Sequence, residues 1–457
     1  MRRFWLSQAR LPQGWADQVE IRVDAAGIIR QLTPNARPAA DAVQLHGPVL
    51  PGMPNLHSHA FQRAMAGLAE RAGPGDDSFW TWRETMYHFA LRLGPEDVQA
   101  IAAQLYAEML QQGYTAVAEF HYVHHQPDGS RYDDPAELSW RVLAAAEATG
   151  IGLTHLPVLY AHGGFGPKPA GERQRRFLHD AKGYAALLEK LRPAFRTGSS
   201  PLRRLGIAPH SLRAVSGPLL AEALALTGAD WPVHIHIAEQ TAEVDDCLAH
   251  YGQRPVQWLL DHAPVDRHWC LVHATHMDAA ETAALARSGA VAGLCPTTEA
   301  NLGDGLFPAI DYLAQGGQFG IGTDSHISID WREELRLLEY GQRLARRGRN
   351  LLALGPGGST GQRLFDAAMA GGAQALNQPM GAIAIGRRAD LVLLDGTAPM
   401  LAGHGAESLL DALIFSGQPN PVRAVYVGGR QVVAEGRHVQ ADEIAAAYRA
   451  ALTRLTA

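Results

Sequence analysis

Short runs of apolar residues alternate with longer stretches of helical periodicity through most of the chain. The runs lie at residues 47–56, 114–120, 151–160, 205–209, 231–237, 269–273, 290–295 and 319–322. Between them the apolar residues recur every three or four positions, most clearly over 95–111 and 331–344. Apolar strands that alternate with amphipathic helices are typical of a parallel sheet with helical crossovers. Eight such runs predict an α/β fold of the (β/α)8 TIM-barrel type.

Both ends of the chain carry β-like segments that lie outside this pattern. Three occur within the first 50 residues, and a further pair near the C terminus is joined by Gly428 and Gly429, which indicate a hairpin turn. An Ala-rich helix is predicted between them, at 361–376. Neither set of strands is large enough for a core of its own. We therefore predict one small β-sandwich domain built from 1–48 and 379–457, beside a metal-dependent catalytic barrel with C-terminal helices at 49–378.

Composition narrows the range of partners. The formal net charge of −6 over 457 residues gives no electrostatic reason to expect nucleic acid or an anionic membrane as a partner. No apolar run reaches the length of a membrane span. The three cysteines, Cys247, Cys270 and Cys295, have unrelated spacings, which fits a reducing compartment. We expect a cytoplasmic protein that acts on a small molecule, and a homodimer on the base rate alone.

Candidate chemistry follows four of the predicted strands, at the end where barrel enzymes carry their active sites. His57 and His59 follow the first run, His236 with Glu239 ends the fifth, His273 ends the sixth, and Asp324 follows the eighth. Each residue alone has an ordinary explanation as a core histidine or a helix cap. Such residues at the ends of four separate strands indicate a metal site.

The spacing assigns the ligands. His57 and His59 share one face of an extended chain. With His236 and Asp324 they make three nitrogens and one oxygen, which leaves one position for a water whose pKa a zinc ion would lower to roughly 7. We expect one Zn²⁺ per subunit, and Fe²⁺ suits the same ligands. His234, His276 and His326 are weaker candidates.

A second metal is not expected. Barrels with two metals often bridge them with a carboxylated lysine at a strand end. The only lysines are Lys168, Lys182 and Lys190, and none follows a predicted strand. His273 is therefore free for proton transfer or for stabilising an oxyanion.

The combination of these residues resembles the amidohydrolase superfamily, and the spacing of His236 and Glu239 is similar to that of its mononuclear deaminases, which include adenosine, cytosine and guanine deaminases. The segment 386–395 resembles the return of that superfamily into its small β domain. More narrowly, the segments 56–63, 79–84 and 295–305 resemble the formimidoylglutamate deiminases of histidine degradation. That family hydrolyses N-formimidoyl-L-glutamate, an amidine, at a C–N bond to give N-formyl-L-glutamate and ammonia.

The resemblance implies roles for further residues. The glutamate part of the substrate would be bound by Gln62, Arg83, Tyr122, His210 and Arg213. Two arginines suit a substrate with two carboxylates, because the guanidinium fork matches carboxylate geometry. In the mechanism that we hypothesise, His273 and Asp324 help to deprotonate the metal-bound water. Glu239 then carries protons to the departing ammonia, which requires a carboxyl group with a pKa near the working pH.

Three alternatives stay open at this point. The chain could be another mononuclear amidohydrolase that acts on a nucleobase, a pterin, a chlorinated triazine or another amidine. It could cleave the other C–N bond of the same amidine and release formamide and glutamate. It could also be a binding or scaffolding protein that has lost activity, although the complete set of site residues argues against that.

Overall fold

A computed structural model describes residues 1–71, 79–196, 200–417 and 419–457. The strands are β1 Arg2–Leu11, β2 Gly14–Val23, β3 Ile29–Thr33, β4 Val43–Pro51, β5 Met53–Ser58, β6 Tyr114–His121, β7 Gly152–Leu159, β8 Arg203–Leu205, β9 Ala208–Pro209, β10 Val233–Ile237, β11 Trp269–His273, β12 Val291–Leu294, β13 Gln318–Ile321, β14 Leu391–Leu394, β15 Val422–Val427, β16 Arg430–Ala434 and β17 Arg437–His438. The helices are α1 Phe79–Ala90, α2 Pro95–Gln111, α3 Glu137–Thr149, α4 Ala181–Leu191, α5 Gly217–Ala225, α6 Thr241–Tyr251, α7 Pro255–His262, α8 Ala279–Ser288, α9 Pro296–Leu302, α10 Ala309–Ala314, α11 Trp331–Arg346, α12 Thr360–Leu376, α13 Leu409–Phe415 and α14 Ala441–Thr456.

The predicted barrel is confirmed. Strands β5, β6, β7 and β8 pair in parallel, as do β10, β11, β12 and β13. Parallel bridges between Ser58 and Asp324 and between Ile207 and Val233 join the two arcs into a ring. The fourth strand is interrupted, and β8 and β9 share its place beside β7. Every barrel strand from β5 to β7 and from β10 to β12 is buried along its whole length, as expected for a parallel sheet covered by helices.

The first apolar run, predicted as a single strand at 47–56, divides between two sheets. β4 joins the small sheet and β5 opens the barrel, with Gly52 between them. A Cβ at Gly52 would lie 2.1 Å from Oγ1 of Thr115 and 2.3 Å from its Cγ2. Only glycine therefore lets the chain cross so close to β6 as it passes from one sheet to the other.

Both chain ends build one small β domain, as predicted. Its eight strands follow the order β17-β16-β15-β14-β4-β1-β2-β3 in one continuous sheet. Residues from both ends meet in its core, among them Phe4, Ile21, Leu391 and Tyr426. The Gly428–Gly429 turn forms between β15 and β16 with φ of 56° and 74°, the left-handed conformation of a tight hairpin. The exact domain boundaries stay a prediction, and β4 spans the first of them.

Helices α2, α11 and α12 form where the periodicity placed them. The terminal helix α14 was not anticipated. It packs on α2, where Arg454 Nη2 lies 2.5 Å from Asp97 Oδ1, and Tyr448 donates a hydrogen bond to the carbonyl of Arg63. Among the described helices, none has both the length and the apolar character that a membrane crossing requires.

Candidate active site

Three histidines and one aspartate meet at the carboxyl end of the barrel. Nε2 of His57 lies 3.2 Å from Nε2 of His59 and 3.1 Å from Nε2 of His236. Oδ1 of Asp324 lies 3.4 Å from Nε2 of both His57 and His59. Neighbouring ligands of a tetrahedral zinc ion are about 3.3 Å apart when the Zn–N distance is about 2.05 Å. The four predicted ligand residues therefore form a cage of the right size for one ion.

The hydrogen bonds of these histidines fix the protons away from the cage. Nδ1 of His59 donates to the carbonyl of Phe120 at 2.9 Å, and Nδ1 of His236 donates to the carbonyl of His210 at 3.1 Å. A neutral imidazole carries one proton, so both Nε2 atoms present lone pairs to the cage. Burial lowers the pKa of His57 to about 3, which keeps that ring neutral as well. Converging lone pairs and a carboxylate oxygen fit a bound cation.

The closure of the barrel joins Asp324 to the two ligands of the first strand, His57 and His59. The backbone N–H of Asp324 donates to the carbonyl of His57, and that of His59 donates to the carbonyl of Asp324. A Cβ at Gly322 would lie 2.7 Å from Cβ of His57, so the close approach of β5 to the chain after β13 requires glycine there. Asp324, with φ of 46°, and His273, with φ of 68°, both adopt left-handed backbone conformations. Such conformations are costly for residues other than glycine and cluster at functional sites.

His273 is surrounded by carboxylates. Its Nε2 lies 3.7 Å from Oδ2 of Asp324 and 3.9 Å from Oε1 of Glu239, and its Nδ1 lies 3.3 Å from Oε1 of Glu299. Burial alone would lower the pKa of His273, but these three carboxylates outweigh it and raise the pKa to about 10. The protein alone thus holds a proton on this ring. For Asp324, burial raises the pKa, yet the neighbouring histidines outweigh burial and lower it.

Arg213 belongs to a buried ionic group. Its Nη2 lies 3.4 Å from Oε2 of Glu239, and its Nε lies 3.6 Å from Oε2 of Glu243. Burial would lower the pKa of Arg213, but Glu243 and Glu239 outweigh it and raise the pKa. The arginine is therefore permanently charged, at one edge of the cavity above the cage.

The other predicted substrate residues line the same cavity, whose volume is about 550 Å³ including space open to solvent. Gln62 donates to the hydroxyl of Tyr122 at 2.8 Å, and Arg83 donates to the hydroxyl of Tyr160 at 3.0 Å. His210 lies with its ring centroid 4.5 Å from that of Tyr160. The structure thus brings together every predicted site residue. His57 lies below the cavity and contacts His236. The cavity is lined by the other ten: Gln62, Arg83, Tyr122, His210, Arg213, Glu239, His273, Asp324, His59 and His236.

The weaker histidine candidates lie elsewhere. His234 points away from the cage and bonds to the carbonyl of Ala375 at 2.9 Å. His326 bonds to Thr323 and Ser58, underneath the ligands. His276 is absent from the metal-sized clusters found among the described residues.

Several residues at the site were not singled out from the sequence. Glu299 bonds to His273 and accepts a hydrogen bond from the backbone N–H of Cys295. It lies inside the segment 295–305, for which no site residue was predicted. Glu119 accepts hydrogen bonds from Ser58 and from the backbone N–H of Ala60, and so fixes the loop that carries His57 and His59. Glu299 lies in the first turn of α9, just after the seventh barrel strand, so a carboxylate following that strand was the signal in the sequence. Glu119 lies inside an apolar strand and gives no such signal.

A closed barrel beside a small β domain, with a histidine and aspartate cage at its carboxyl end, is typical of metal-dependent hydrolases. The amidohydrolase family model matches residues 49–432. The chain belongs to the amidohydrolase family. It is 58% identical to formimidoylglutamate deiminase from Pseudomonas aeruginosa over 98% of both chains. It is 48% identical to an amidohydrolase from Brucella melitensis of known structure, with a TM-score of 0.95 over the whole of both chains.

A more distant structure shares the fold alone. An adenosine deaminase from Xanthomonas campestris, solved with bound zinc, is 23% identical and superposes with a TM-score of 0.80 over 99% of this chain and 98% of its own.

Proposed function

We propose that this chain is a metal-dependent formimidoylglutamate deiminase, which hydrolyses N-formimidoyl-L-glutamate to N-formyl-L-glutamate and ammonia. The observation that carries the proposal is the cavity itself. It joins a cage for one metal ion to a wall with two arginines, Arg83 and Arg213. The chain is also 58% identical, over 98% of both chains, to a deiminase of that name. A dicarboxylate substrate needs cationic partners, whereas a planar nucleobase needs stacking and amide donors.

The residues that would hold the metal are His57, His59, His236 and Asp324. Their spacing and their lone pairs fit a zinc ion, and Fe²⁺ suits the same donors. When bound, a divalent ion there supplies Lewis acidity, which activates a water near neutral pH.

The chain's own groups handle the protons. Asp324 Oδ2 and Nε2 of the protonated His273 face the same space, 3.7 Å apart, so Asp324 can accept the proton of an attacking water while His273 donates a hydrogen bond to the same water. The charged form of His273 can also stabilise the negative charge that develops on the oxygen of the attacking water as it bonds to the formimidoyl carbon. Glu239 lies 3.9 Å from His273, where it can pass a proton to the leaving nitrogen as ammonia departs.

Other residues of the cavity would bind the glutamate part. Arg83 and Arg213 would bind the two carboxylates, with hydrogen bonds from Tyr122, Gln62 and His210 fixing the orientation. The buried Oε1 of Gln62 has no partner among the described residues, so it is available to accept a bond from the substrate N–H. The cytoplasmic location and the homodimer stay predictions.

Substitution of Glu239 tests the proposal. Glu239→Gln keeps the shape of the side chain and all four proposed ligands but removes the proton carrier. We expect normal metal content by elemental analysis and a loss of ammonia release from N-formimidoyl-L-glutamate of about 10²- to 10⁴-fold, the usual contribution of a general acid or base. A variant with near-wild-type turnover would contradict the role of Glu239, and wild-type protein that releases ammonia faster from adenosine would contradict the substrate.

A further inference from the structure

A second set of metal-binding atoms lies beside the histidine cage. His273, Cys295 and Asp324 each offer a donor atom, and all these atoms lie within 4.8 Å of one another. The three side chains come from the ends of neighbouring strands β11, β12 and β13, and all are buried. We propose that they form a second site, which takes a soft divalent cation such as Zn²⁺ or Cd²⁺ when the metal is in excess.

The two oxygens of Asp324 separate the two sites. Oδ1 faces His57 and His59 at 3.4 Å, whereas Oδ2 faces Nε2 of His273 at 3.7 Å. A carboxylate can bind one ion through each oxygen, and ions in two-metal sites lie about 3.5–4 Å apart. An ion beside His273 therefore does not have to displace the ion in the cage.

The donor set selects the kind of cation. A thiolate, an imidazole and a carboxylate suit Zn²⁺ and softer ions, whereas Mg²⁺ and Ca²⁺ prefer oxygen ligands alone. Binding converts the Cys295 thiol to a thiolate, and the proton leaves to the buffer. The three donor atoms are up to 4.8 Å apart, whereas donors around a zinc ion lie closer together. Binding therefore needs small side-chain movements.

The surrounding charge favours a cation at this position. Oε1 of Glu299 lies 3.3 Å from Nδ1 of His273, and Oε1 of Glu239 lies 3.9 Å from Nε2. Both carboxyl groups are buried, so their negative charge is poorly screened by water. These residues would offset the charge of an ion that replaces the proton on His273.

Occupation of this site should stop turnover, because the ion takes His273 and the second oxygen of Asp324. This consequence rests on the proposed function, whereas binding of the ion does not. The two can be told apart by measuring metal content and turnover on the same samples.

The test starts from enzyme with one equivalent of Zn²⁺ and adds Cd²⁺. Elemental analysis after equilibrium dialysis gives the stoichiometry, and the ultraviolet thiolate-to-cadmium charge-transfer band reports binding to a thiolate, which the cage cannot produce because it contains no sulfur. We expect retained zinc, one equivalent of Cd²⁺, the charge-transfer band, and a loss of at least tenfold in turnover in step with the band. Absence of the band, or of the second equivalent, would overturn the site.

Two variants provide matched controls. Cys295→Ser should lose the band and the second equivalent and keep the zinc. Cys270→Ser, which alters another buried thiol on β11, should keep the band, the second equivalent and the zinc. Unchanged Cd²⁺ binding in Cys295→Ser would also overturn the site, and if that variant misfolds, Cys295→Ala and the wild-type titration decide. Binding of Cd²⁺ without loss of turnover would support the site and contradict the proposed roles of His273 and Asp324.

Discussion

Among single residues, Arg213 has two roles. It neutralises Glu239 and Glu243, which are both buried, and it is proposed to bind a substrate carboxylate. The same guanidinium therefore links the proton carrier to the substrate. Removing a partner from a buried ion pair costs more than removing an exposed one, because the remaining charge loses its compensation. Arg213 should be sensitive to changes in both charge and shape.

Replacement of Arg213 separates substrate binding from metal binding. Arg213→Met should lower kcat/KM for N-formimidoyl-L-glutamate by about 10- to 150-fold, as expected for the loss of a hydrogen-bonded charged contact worth about 1.5–3 kcal/mol. Metal content should stay normal, because the described contacts of Arg213 are with Glu239 and Glu243, and neither is a proposed metal ligand. Arg213→Lys keeps the charge but not the fork and should lose less. Steady-state kinetics and elemental analysis decide, with the exposed Arg423→Met as control, and an equal loss of metal and activity would indicate a structural arginine.

At the scale of elements, helix α12 is fitted to the barrel by two glycines. A Cβ at Gly371 would lie 2.0 Å from the carbonyl oxygen of Phe319, and one at Gly372 would lie 2.4 Å from Cγ of Pro54. The helix therefore presses its backbone against β13 and β5, the two strands whose ends carry Asp324 and the first histidine pair. The position of this helix supports the metal cage from below.

An added methyl group at this contact should be destabilising. Gly371→Ala meets backbone atoms that cannot rotate away, so overpacking should cost about 1–3 kcal/mol or more and lower the Tm of this long chain by about 1–3 °C or more. Gly341→Ala is the matched control in α11. Its Cβ would meet only the tip of the exposed Leu306 side chain at 2.7 Å, and alanine is the better helix former. Differential scanning calorimetry should show a lower Tm for the first variant only. An unchanged Tm for Gly371→Ala would contradict the close contact.

At the scale of the whole molecule, a second group of histidines is buried outside the active site. His121, His124, His125, His155 and His179 form a chain of neighbouring rings between the barrel strands and the segment that leads into α4. Burial lowers the pKa of both His121 and His179 to about 3, with a smaller contribution from nearby cations, Arg176 for the first and Arg131 for the second. Asp180 acts in the opposite direction on His179. These rings are neutral in the folded protein.

Acid should therefore destabilise the fold. The unfolded chain binds protons on His121 and His179 below a pH of about 6.5, whereas the folded chain, in which each has a pKa of about 3, binds them only near that pH. Their contribution is complete above pH 6.5 and is lost as the pH falls towards 3, by about 1.4 kcal/mol per pH unit for each histidine. His179→Phe should flatten the dependence of stability on pH between 6 and 4, and the exposed His404→Gln should not. Denaturant unfolding at several pH values measures this slope, and an identical slope in His179→Phe would refute it.

Much of this architecture could be predicted because apolar runs and helical periods are local features. These local features predicted the eight barrel strands, the helices α2, α11 and α12, and the proposed ligands at the strand ends. The passage of the chain through Gly52 from one sheet to the other could not be predicted, since it depends on the contact with Thr115. The pairing of Glu299 with His273 and of Arg213 with Glu243 likewise depends on side chains that are far apart in the sequence.

We expect the metal-loaded protein to release ammonia from N-formimidoyl-L-glutamate. The most direct measurement follows substrate labelled with ¹³C at the formimidoyl carbon by NMR, with the purified metal-loaded protein. The label should move into the formyl group of N-formyl-L-glutamate as one equivalent of ammonia appears. Label that appears in formamide, together with free glutamate, or substrate that persists unchanged, would contradict the proposed function.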